Sequence, residues 1–304
     1  MKKPGFDPGL TQQYIKPLDR VINKNGDFNV RRAGGAWRDV HPYLYLINLG
    51  WPAFLGSVFL GYVFVNLVFA CIYYAVGVDQ LDGADAPTVL RRFLNVFFFS
   101  SHTLSTVGYG NIAPHGIGAN IVAAFEALTG VLGLAVATGL LFGRISKPSA
   151  RIGFSDRILI APYQDGTALE FRIVNRRSNA LVEATAKILL MTVEPNDGSG
   201  LKRNFQLLNL EREGVMFLIT PWTVVHPIDQ DSPLWGKTAE DLTRLQAEVL
   251  ILIKAYDDTF AQSVQARYSY RHDEFVWGKK FAPAFSIDGG GEVVIELNKI
   301  GEIL

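Results

Sequence analysis

FFFSSHTLSTVGYG, at residues 97–110, is the segment from which the architecture of this chain can be worked out. It starts apolar, becomes rich in serine and threonine, and ends with two glycines two residues apart. Glycine allows backbone conformations that other residues avoid, so the segment cannot be one smooth spanning helix. Backbone that is not helical can lie at membrane depth only where it is buried in protein or lines a water-filled cavity. We therefore predict a re-entrant loop.

The charged residues are distributed very unevenly along the 304-residue chain. There are 29 Lys and Arg and 29 Asp and Glu, so the formal charge is zero and nothing in the total indicates nucleic acid as a partner. Residues 40–143 contain six of these charges, and the run from Val40 to Val78 contains none. Part of the chain is therefore predicted to be solvated by lipid, which excludes a simple soluble globular protein.

Two segments are long and apolar enough to cross a bilayer, which takes about 20 residues. We predict these spanning helices at 51–76 and 118–145. Residues 36–49 are aromatic and amphipathic, and we interpret them as an interfacial helix lying on the membrane surface. Pro42 and Pro52 favour a break before the first span, because proline removes a backbone donor. The alternative is a simple extension of the spanning helix.

Basic residues flank the two spans. They are Arg31, Arg32 and Arg38 before the first span, and Arg144, Lys147 and Arg151 after the second. Because basic flanks stay on the cytoplasmic side, both termini of this multi-pass chain are predicted to be cytoplasmic. Such clusters also attract anionic lipid headgroups, by about 1 kcal/mol per basic residue. These six residues are interpreted either as a binding site for anionic lipids or as charges that only set the orientation of the chain in the membrane.

The pentapeptide at the end of the re-entrant segment has the composition of an ion filter. Its residues are Thr106, Val107, Gly108, Tyr109 and Gly110. Backbone oxygens of the first four residues, repeated around a fourfold axis, would form stacked cages that replace the hydration shell of K⁺. This pentapeptide is itself the known filter signature of potassium channels. A plain extracellular turn is disfavoured, because a predicted pore helix at 90–104 precedes the pentapeptide and spans flank both.

The second half of the chain changes to a period of two, as in the apolar positions of residues 182–188. Many short strands separated by Gly, Pro and Asp turns predict an all-β sandwich over residues 148–304, after a membrane domain at 50–147. Residues 221–233 are predicted as a tight connection. Residues 1–35 are predicted as a cytoplasmic segment, polar and disordered over its first 24 residues. The sequence contains no catalytic constellation, so neither an enzymatic activity nor a cofactor is predicted.

Four further motifs follow the re-entrant segment along the chain. After FFFSSHTLSTVGYG come FGRISKPSARIGFS (142–155), VVHPIDQDSPLWG (224–236), AQSVQARYSY (261–270) and DEFVWG (273–278). Over residues 25–300 the chain resembles the inward-rectifier potassium channels, most closely their prokaryotic KirBac group. The resemblance implies a homotetramer of the cell inner membrane that conducts K⁺, with an immunoglobulin-like cytoplasmic domain and regulation by anionic lipids such as phosphoinositides. The alternative is a membrane-anchored sensor or binding module whose pore does not conduct.

The resemblance also assigns residues of the second span to the inner pore. Leu134, Thr138 and Phe142 share one helical stripe and are predicted to line the cavity and the gate. Leu134 stands where strong rectifiers carry an acid, so Mg²⁺ and polyamines are expected to be weak blockers. Phe142 aligns with a constriction that closes by excluding water, and the alternative is packing between helices. Gly130 and Gly139 permit either bending or close helix contact.

Three polar residues complete the predicted sites. His102 and Glu126 are predicted to support the filter. His102 is interpreted as a neutral hydrogen-bonded histidine or as a pH-sensitive one, and Glu126 as a structural carboxyl or as an ion ligand. Asp258, in a loop at 258–266 that aligns with the rim of the cytoplasmic pore, is predicted to contribute an acidic ring, the alternative being a solvated surface acid.

Overall fold

A computed structural model of the chain describes residues 8–10, 13–14, 19–31, 33–34, 41–147, 150–195 and 200–304. These residues form two compact units. One unit comprises the described residues of 33–147, which we call the membrane unit. The other, which we call the β unit, joins the described residues up to 31 to those from 150 onward.

The helices and strands have the following bounds. Up to residue 147 they are β1 (Gln13–Tyr14), α1 (Pro42–Asn48), α2 (Trp51–Val76), β2 (Leu81–Asp82), α3 (Val89–Leu104), β3 (Ala113–Pro114) and α4 (Ile117–Ile145). From residue 150 onward they are β4 (Ile152–Phe154), β5 (Ile158–Tyr163), β6 (Gly166–Asn175), β7 (Leu181–Pro195), β8 (Leu201–Leu207), β9 (Gly214–Phe217), β10 (Trp222–Ile228), α5 (Ala239–Arg244), β11 (Glu248–Asp257), β12 (Gln262–Arg271), β13 (Phe275–Trp277), β14 (Phe285–Ile287) and β15 (Val293–Ile295).

The membrane unit is built from two long apolar helices and a shorter one between them. Helices α2 and α4 are long and apolar enough to cross a membrane. Helices α1 and α2 are separate, and each has a proline in its first turn, where the missing N–H costs no hydrogen bond. The side chain of Thr88 caps α3 by accepting a hydrogen bond from the N–H of Arg91. Tyr73 of α2, Phe99 of α3 and Ala119 of α4 meet in one buried cluster.

The β unit is a sandwich of two largely antiparallel sheets. One sheet has the order β1-β8-β7-β11-β12, with β9 also on β7. The other has the order β10-β6-β5-β13, with β4 on β6, and its β5–β13 pair is parallel. Phe171 and Val224 of the second sheet share one buried cluster with Ile188 and Ile251 of the first. The predicted fold class, a helical membrane domain followed by an all-β domain, is confirmed.

The N-terminal segment differs from its prediction as a disordered polar stretch. Val21 and Ile22 are buried in a cluster with Phe205 and Leu250 of the β unit. The N–H of Val21 donates to the Glu248 carboxylate at 3.0 and 3.1 Å. The prediction was wrong here because two apolar residues in a polar segment are too short a pattern to indicate burial.

Two predicted loops are largely strand. β10 occupies most of the connection expected at 221–233, and β12 begins at Gln262, inside the loop expected at 258–266. In β10 the inward-facing position after Val224 is His226, and this polar residue interrupts the apolar alternation that would have indicated a strand. The β11–β12 turn is therefore confined to residues 258–261.

The buried His226 predicts a pH dependence of stability. Its Nε2 lies 2.8 Å from the Ser232 hydroxyl and its Nδ1 lies 2.5 Å from the Asn209 carbonyl, and burial lowers the pKa of His226. In the unfolded chain this histidine has a pKa of about 6.5. Below that pH the unfolded chain binds a proton more readily than the folded protein does, so the free energy of unfolding falls as the pH falls. We expect His226→Gln to lose less thermal stability than wild type between about pH 7.5 and about pH 5.5. Equal losses in the two proteins would contradict this.

Candidate functional site

The segment that follows α3 has an alternating backbone. Thr106, Gly108 and Gly110 have φ angles of 61°, 57° and 79°, whereas Val107 and Tyr109 between them are not among the residues with positive φ. A positive φ is uncommon for a residue with a side chain, so Thr106 marks a backbone that its surroundings impose. Alternation of this kind turns consecutive peptide carbonyls toward the same side of the chain.

The hydrogen bonds of this segment show which side that is. The N–H groups of Val107 and Gly108 both donate to the carbonyl of His102, at 2.9 and 3.2 Å. In a planar trans peptide the carbonyl points opposite to the N–H of the next residue. The carbonyls of Thr106 and Val107 therefore point away from α3. The end of α3 therefore binds the N–H groups of Val107 and Gly108, and the carbonyls of the same two peptide groups face the opposite side, where a ligand could bind them.

The side chains of Val107 and Tyr109 are exposed in a single chain. Val107 is 53% exposed and Tyr109 is 73% exposed. The His102 ring contacts the Tyr109 ring edge-on, with 4.8 Å between ring centroids. His102 thus touches the predicted filter twice, through its backbone carbonyl and through its ring.

A buried polar network lies behind α3. The Glu126 carboxylate of α4 accepts hydrogen bonds from the Tyr73 hydroxyl of α2, at 2.7 Å, and from the Ser100 hydroxyl of α3. Ser100 also lies 3.1 Å from Oδ1 of Asn66, which is on α2. All four side chains are buried. Both carboxylate oxygens are engaged by hydroxyl donors, which is the arrangement expected of a structural carboxyl rather than an ion ligand.

The two glycines of α4 have different surroundings. A Cβ at Gly130 would collide with the backbone carbonyl of Leu104, the last residue of α3. A Cβ at Gly139 would have no described atom within 4 Å. Close helix contact is therefore the role that the geometry favours for Gly130. Further along α4, the predicted cavity residues Leu134, Thr138 and Phe142 are all exposed in the single chain.

Asp258 lies in the turn between β11 and β12 and is exposed. The buried carboxylate of this turn belongs instead to Asp257, whose Oδ1 accepts from the N–H of Thr259 at 3.1 Å. Asn179 donates to Oδ2 of Asp257 at 2.8 Å. Asp257 therefore shapes the turn, and Asp258 is presented to solvent at its tip.

The predicted lipid residues fall into three groups. Arg32 and Arg38 lie outside the described residues. Arg31 and Arg151 belong to the β unit and are exposed. In the membrane unit, Arg144 donates to the carbonyl of Ile47, and Lys147 donates to Oδ1 of Asn48. These last two basic side chains are therefore engaged within the protein.

The comparisons with known proteins decide the family. The family described as "Inward rectifier potassium channel C-terminal domain" matches residues 152–304, and the one described as "Ion channel" matches residues 58–147. The chain is 36% identical over 298 residues to the inward rectifier potassium channel Kirbac3.1 of Paramagnetospirillum magnetotacticum, covering 97% of this chain and 98% of that protein. The chain belongs to the inward-rectifier potassium channel family.

Inward rectifiers of animals are also similar to the chain. The G protein-activated inward rectifier potassium channel 4 of Bos taurus is 27% identical over 306 residues, which cover 92% of this chain and 72% of that protein. Among solved structures, the sporulation control protein Spo0M of Bacillus subtilis gives a TM-score of 0.25 at 8% identity, too low to bear on the fold. The relatives are membrane ion channels and not enzymes, which confirms the resemblance and the functional class predicted from the sequence.

The polar residues of α2 in the Glu126 network of this inward rectifier were not predicted from the sequence. Asn66 and Tyr73 lie on α2, for which the sequence predicts an apolar span and no buried polar network. A signal was nevertheless present: Tyr62 and Asn66 are polar, lie one helical turn apart, and stand well inside the uncharged run. Polar groups at such a depth are expected to face protein rather than lipid.

The two glycines of α4 supply a matched pair of variants. In Gly130→Ala the added methyl group meets backbone that cannot move aside, and overpacking of this kind costs about 1–3 kcal/mol. We expect Gly130→Ala to lower the thermal stability of the inward rectifier and to reduce rubidium uptake into proteoliposomes by about tenfold or more, whereas Gly139→Ala retains both. If bending rather than contact is what Gly130 supplies, stability would be kept and only uptake would change.

Proposed function

We propose that this inward rectifier is a homotetramer that conducts K⁺ passively through a filter made of Thr106, Val107, Gly108, Tyr109 and Gly110. The observation that carries the proposal is the pair of N–H groups bonded to the His102 carbonyl, since it aims the neighbouring carbonyls away from α3. Four chains around one axis would place the oxygens of residues 106–109 in rings, where they replace the water around the ion. Assembly would also cover Val107 and Tyr109, which a single chain leaves exposed.

The inner pore follows from the exposed stripe of α4. We propose that Leu134, Thr138 and Phe142 line the cavity and that four Phe142 rings close it by excluding water. Phe142 is 71% exposed in the single chain, which supports a position on the pore rather than between the helices of one subunit. Asp258, at the exposed tip of its turn, is proposed to face cations at the cytoplasmic entrance.

Filter support is proposed for His102 and Glu126. Glu126 ties α4 to Ser100, two residues before His102, so the carbonyl that receives the filter N–H groups is held from behind. The His102 ring against Tyr109 adds a contact at the outer end of the filter. We favour a neutral, positioning role for this histidine.

Location and lipid contacts complete the proposal. The channel is proposed to lie in the cell inner membrane with both termini, and therefore the β unit, in the cytoplasm. Anionic lipids, phosphoinositides among them, are proposed to modulate it through Arg31, Arg32, Arg38, Lys147 and Arg151. Arg144 is proposed to belong to the same group, although its guanidinium has acceptors within the membrane unit, as the Lys147 ammonium does.

Ion flux tests the filter directly. We expect purified wild-type protein in proteoliposomes to take up rubidium in preference to sodium, and barium to block this uptake. Gly108→Ala forces a side chain into a left-handed conformation, at a cost of about 1–2 kcal/mol for each subunit, so it should lose selectivity. Native mass spectrometry should show tetramers for both proteins. A wild-type tetramer without flux would instead favour a sensor module with a non-conducting pore.

Polyamine block tests the cavity assignment. Leu134 gives a cationic blocker no charge partner, so spermine and Mg²⁺ should block wild type weakly in planar-bilayer recordings. Leu134→Asp would place an acid of each subunit at the cavity wall and should strengthen spermine block by on the order of tenfold or more, because unit charges attract strongly where water is scarce. Leu134→Asn, equal in size but uncharged, is the matched control and should resemble wild type. Equal block in all three proteins would place residue 134 off the pathway.

A further inference from the structure

The side chain of Gln80, in the loop that follows α2, caps the ends of two helices. Its Nε2 donates to the carbonyl of Val76, the last residue of α2, at 3.2 Å. Its Oε1 accepts from the N–H of Ala119, in the first turn of α4, at 3.1 Å. The last carbonyls and the first N–H groups of a helix have no partner within the helix. One amide therefore satisfies an unpaired group at the end of α2 and another at the start of α4.

Glutamine suits this position because its amide carries both a donor and an acceptor, whereas a carboxylate only accepts and an ammonium only donates. Gly116, which precedes the first turn of α4, has no side chain with which to cap its own helix. A Cβ at Gly116 would collide with Gln80, to whose side chain the three nearest atoms all belong. The φ angle of Gly116 is −76°, which any residue can adopt, so the contact with Gln80 is what favours glycine here.

Residues 111–116, which we call the exit segment, lead from the proposed filter to α4 and are held by the same loop. The carbonyl of Gln80 accepts from the N–H groups of the last two residues of the segment, at 3.0 and 3.5 Å. Strand β2, which begins at the next residue of the loop, pairs with β3 inside the segment. Gly83 has a φ angle of 82°, and a Cβ there would collide with the carbonyl of Asn111, which directly follows the filter. The loop after α2 thus contacts the exit segment at both of its ends.

We propose that Gln80 is a positioning residue of the filter, which keeps the exit segment in place by joining the end of α2 to the start of α4. The inference rests on the proposed function, because it gives residues 106–110 the filter role. Hydrogen bonds to the His102 carbonyl hold the inner end of the filter, and the contacts of Gln80 hold the chain beyond its outer end. The oxygens of a filter replace the hydration shell of an ion only in the correct arrangement, so displacement of the exit segment lowers selectivity.

A double-mutant cycle with Gln80→Ala and Gly116→Ala tests this proposal. Gln80→Ala removes both caps, and Gly116→Ala introduces a methyl group where the Gln80 side chain lies. Gly139→Ala is the matched control, because a Cβ at Gly139 meets no described atom within 4 Å. The ratio of rubidium to sodium uptake into proteoliposomes and the thermal unfolding midpoint are measured for all single and double variants. Only the tetrameric fraction of each variant is reconstituted.

We expect Gln80→Ala to lower the rubidium-to-sodium uptake ratio by about three- to tenfold, because two hydrogen bonds that support the outer end of the filter are lost. Gly116→Ala should lower the ratio in the wild-type background and add little when residue 80 is already alanine, since the collision is then removed. The double variant should therefore depart from the product of the single effects by about two- to fivefold. Gln80→Ala and Gly139→Ala should multiply without coupling.

Gln80→Glu separates the two caps. Its carboxylate still accepts from Ala119 at the start of α4, where negative charge is favourable, but it has no donor for the Val76 carbonyl. This variant should give an uptake ratio between those of wild type and Gln80→Ala, because one of the two caps is kept.

Failure of this inference can be told from failure of the proposed function. If wild type prefers rubidium and Gln80→Ala has the same uptake ratio, the filter stands and the positioning role of Gln80 is wrong, even where the unfolding midpoint falls. Independent effects of Gln80→Ala and Gly116→Ala on the ratio would overturn the role as well. If wild type shows no preference for rubidium, the proposed filter is wrong and the role of Gln80 at the filter falls with it, while coupling in the midpoint would still show that Gln80 joins α2 to α4.

Discussion

Inside a membrane every backbone N–H needs a partner, and for Val107 and Gly108 that partner is one carbonyl, at His102. This shared acceptor determines the direction of the neighbouring carbonyls, because a planar peptide cannot turn its two polar groups to the same side. The proposed ion path therefore depends on the position of the end of α3. The remaining contacts of the membrane unit can be understood as the means of holding it there.

α3 is held from two sides by different kinds of contact. From α2, Tyr62 reaches Ser101, with their hydroxyl oxygens 2.7 Å apart, and Asn66 approaches Ser100. From α4, Glu126 accepts from Ser100, and Gly130 allows the helix to lie against the last carbonyl of α3. Buried polar groups are costly when left unpaired, so this network penalises any shift of α3 that separates its members.

α4 links the two ends of the proposed pathway. The same helix carries Glu126 and Gly130 near the proposed filter, the exposed stripe through Phe142, and Arg144 in its last turn. The sequence similarity to Kirbac3.1 and to the bovine G protein-activated channel covers 97% and 92% of this chain, and so includes both the membrane unit and the β unit. At its last turn α4 contacts α1, because Arg144 donates to the carbonyl of Ile47.

The residues alone were enough to predict the spans, the re-entrant segment, the β-sandwich and the family, because each leaves a local pattern: uncharged length, paired glycines, alternation and short motifs. They were not enough to predict the partners of the polar side chains. Tyr73 and Glu126 are 53 residues apart, and Ile47 and Arg144 are 97 apart. Such pairs form only once the helices pack, so only the tertiary structure shows that Glu126 bonds Tyr73 and Ser100, that Gly130 lies against α3, and that Arg144 contacts α1. A local pattern records what a residue can bond, whereas its partner depends on which helix lies opposite.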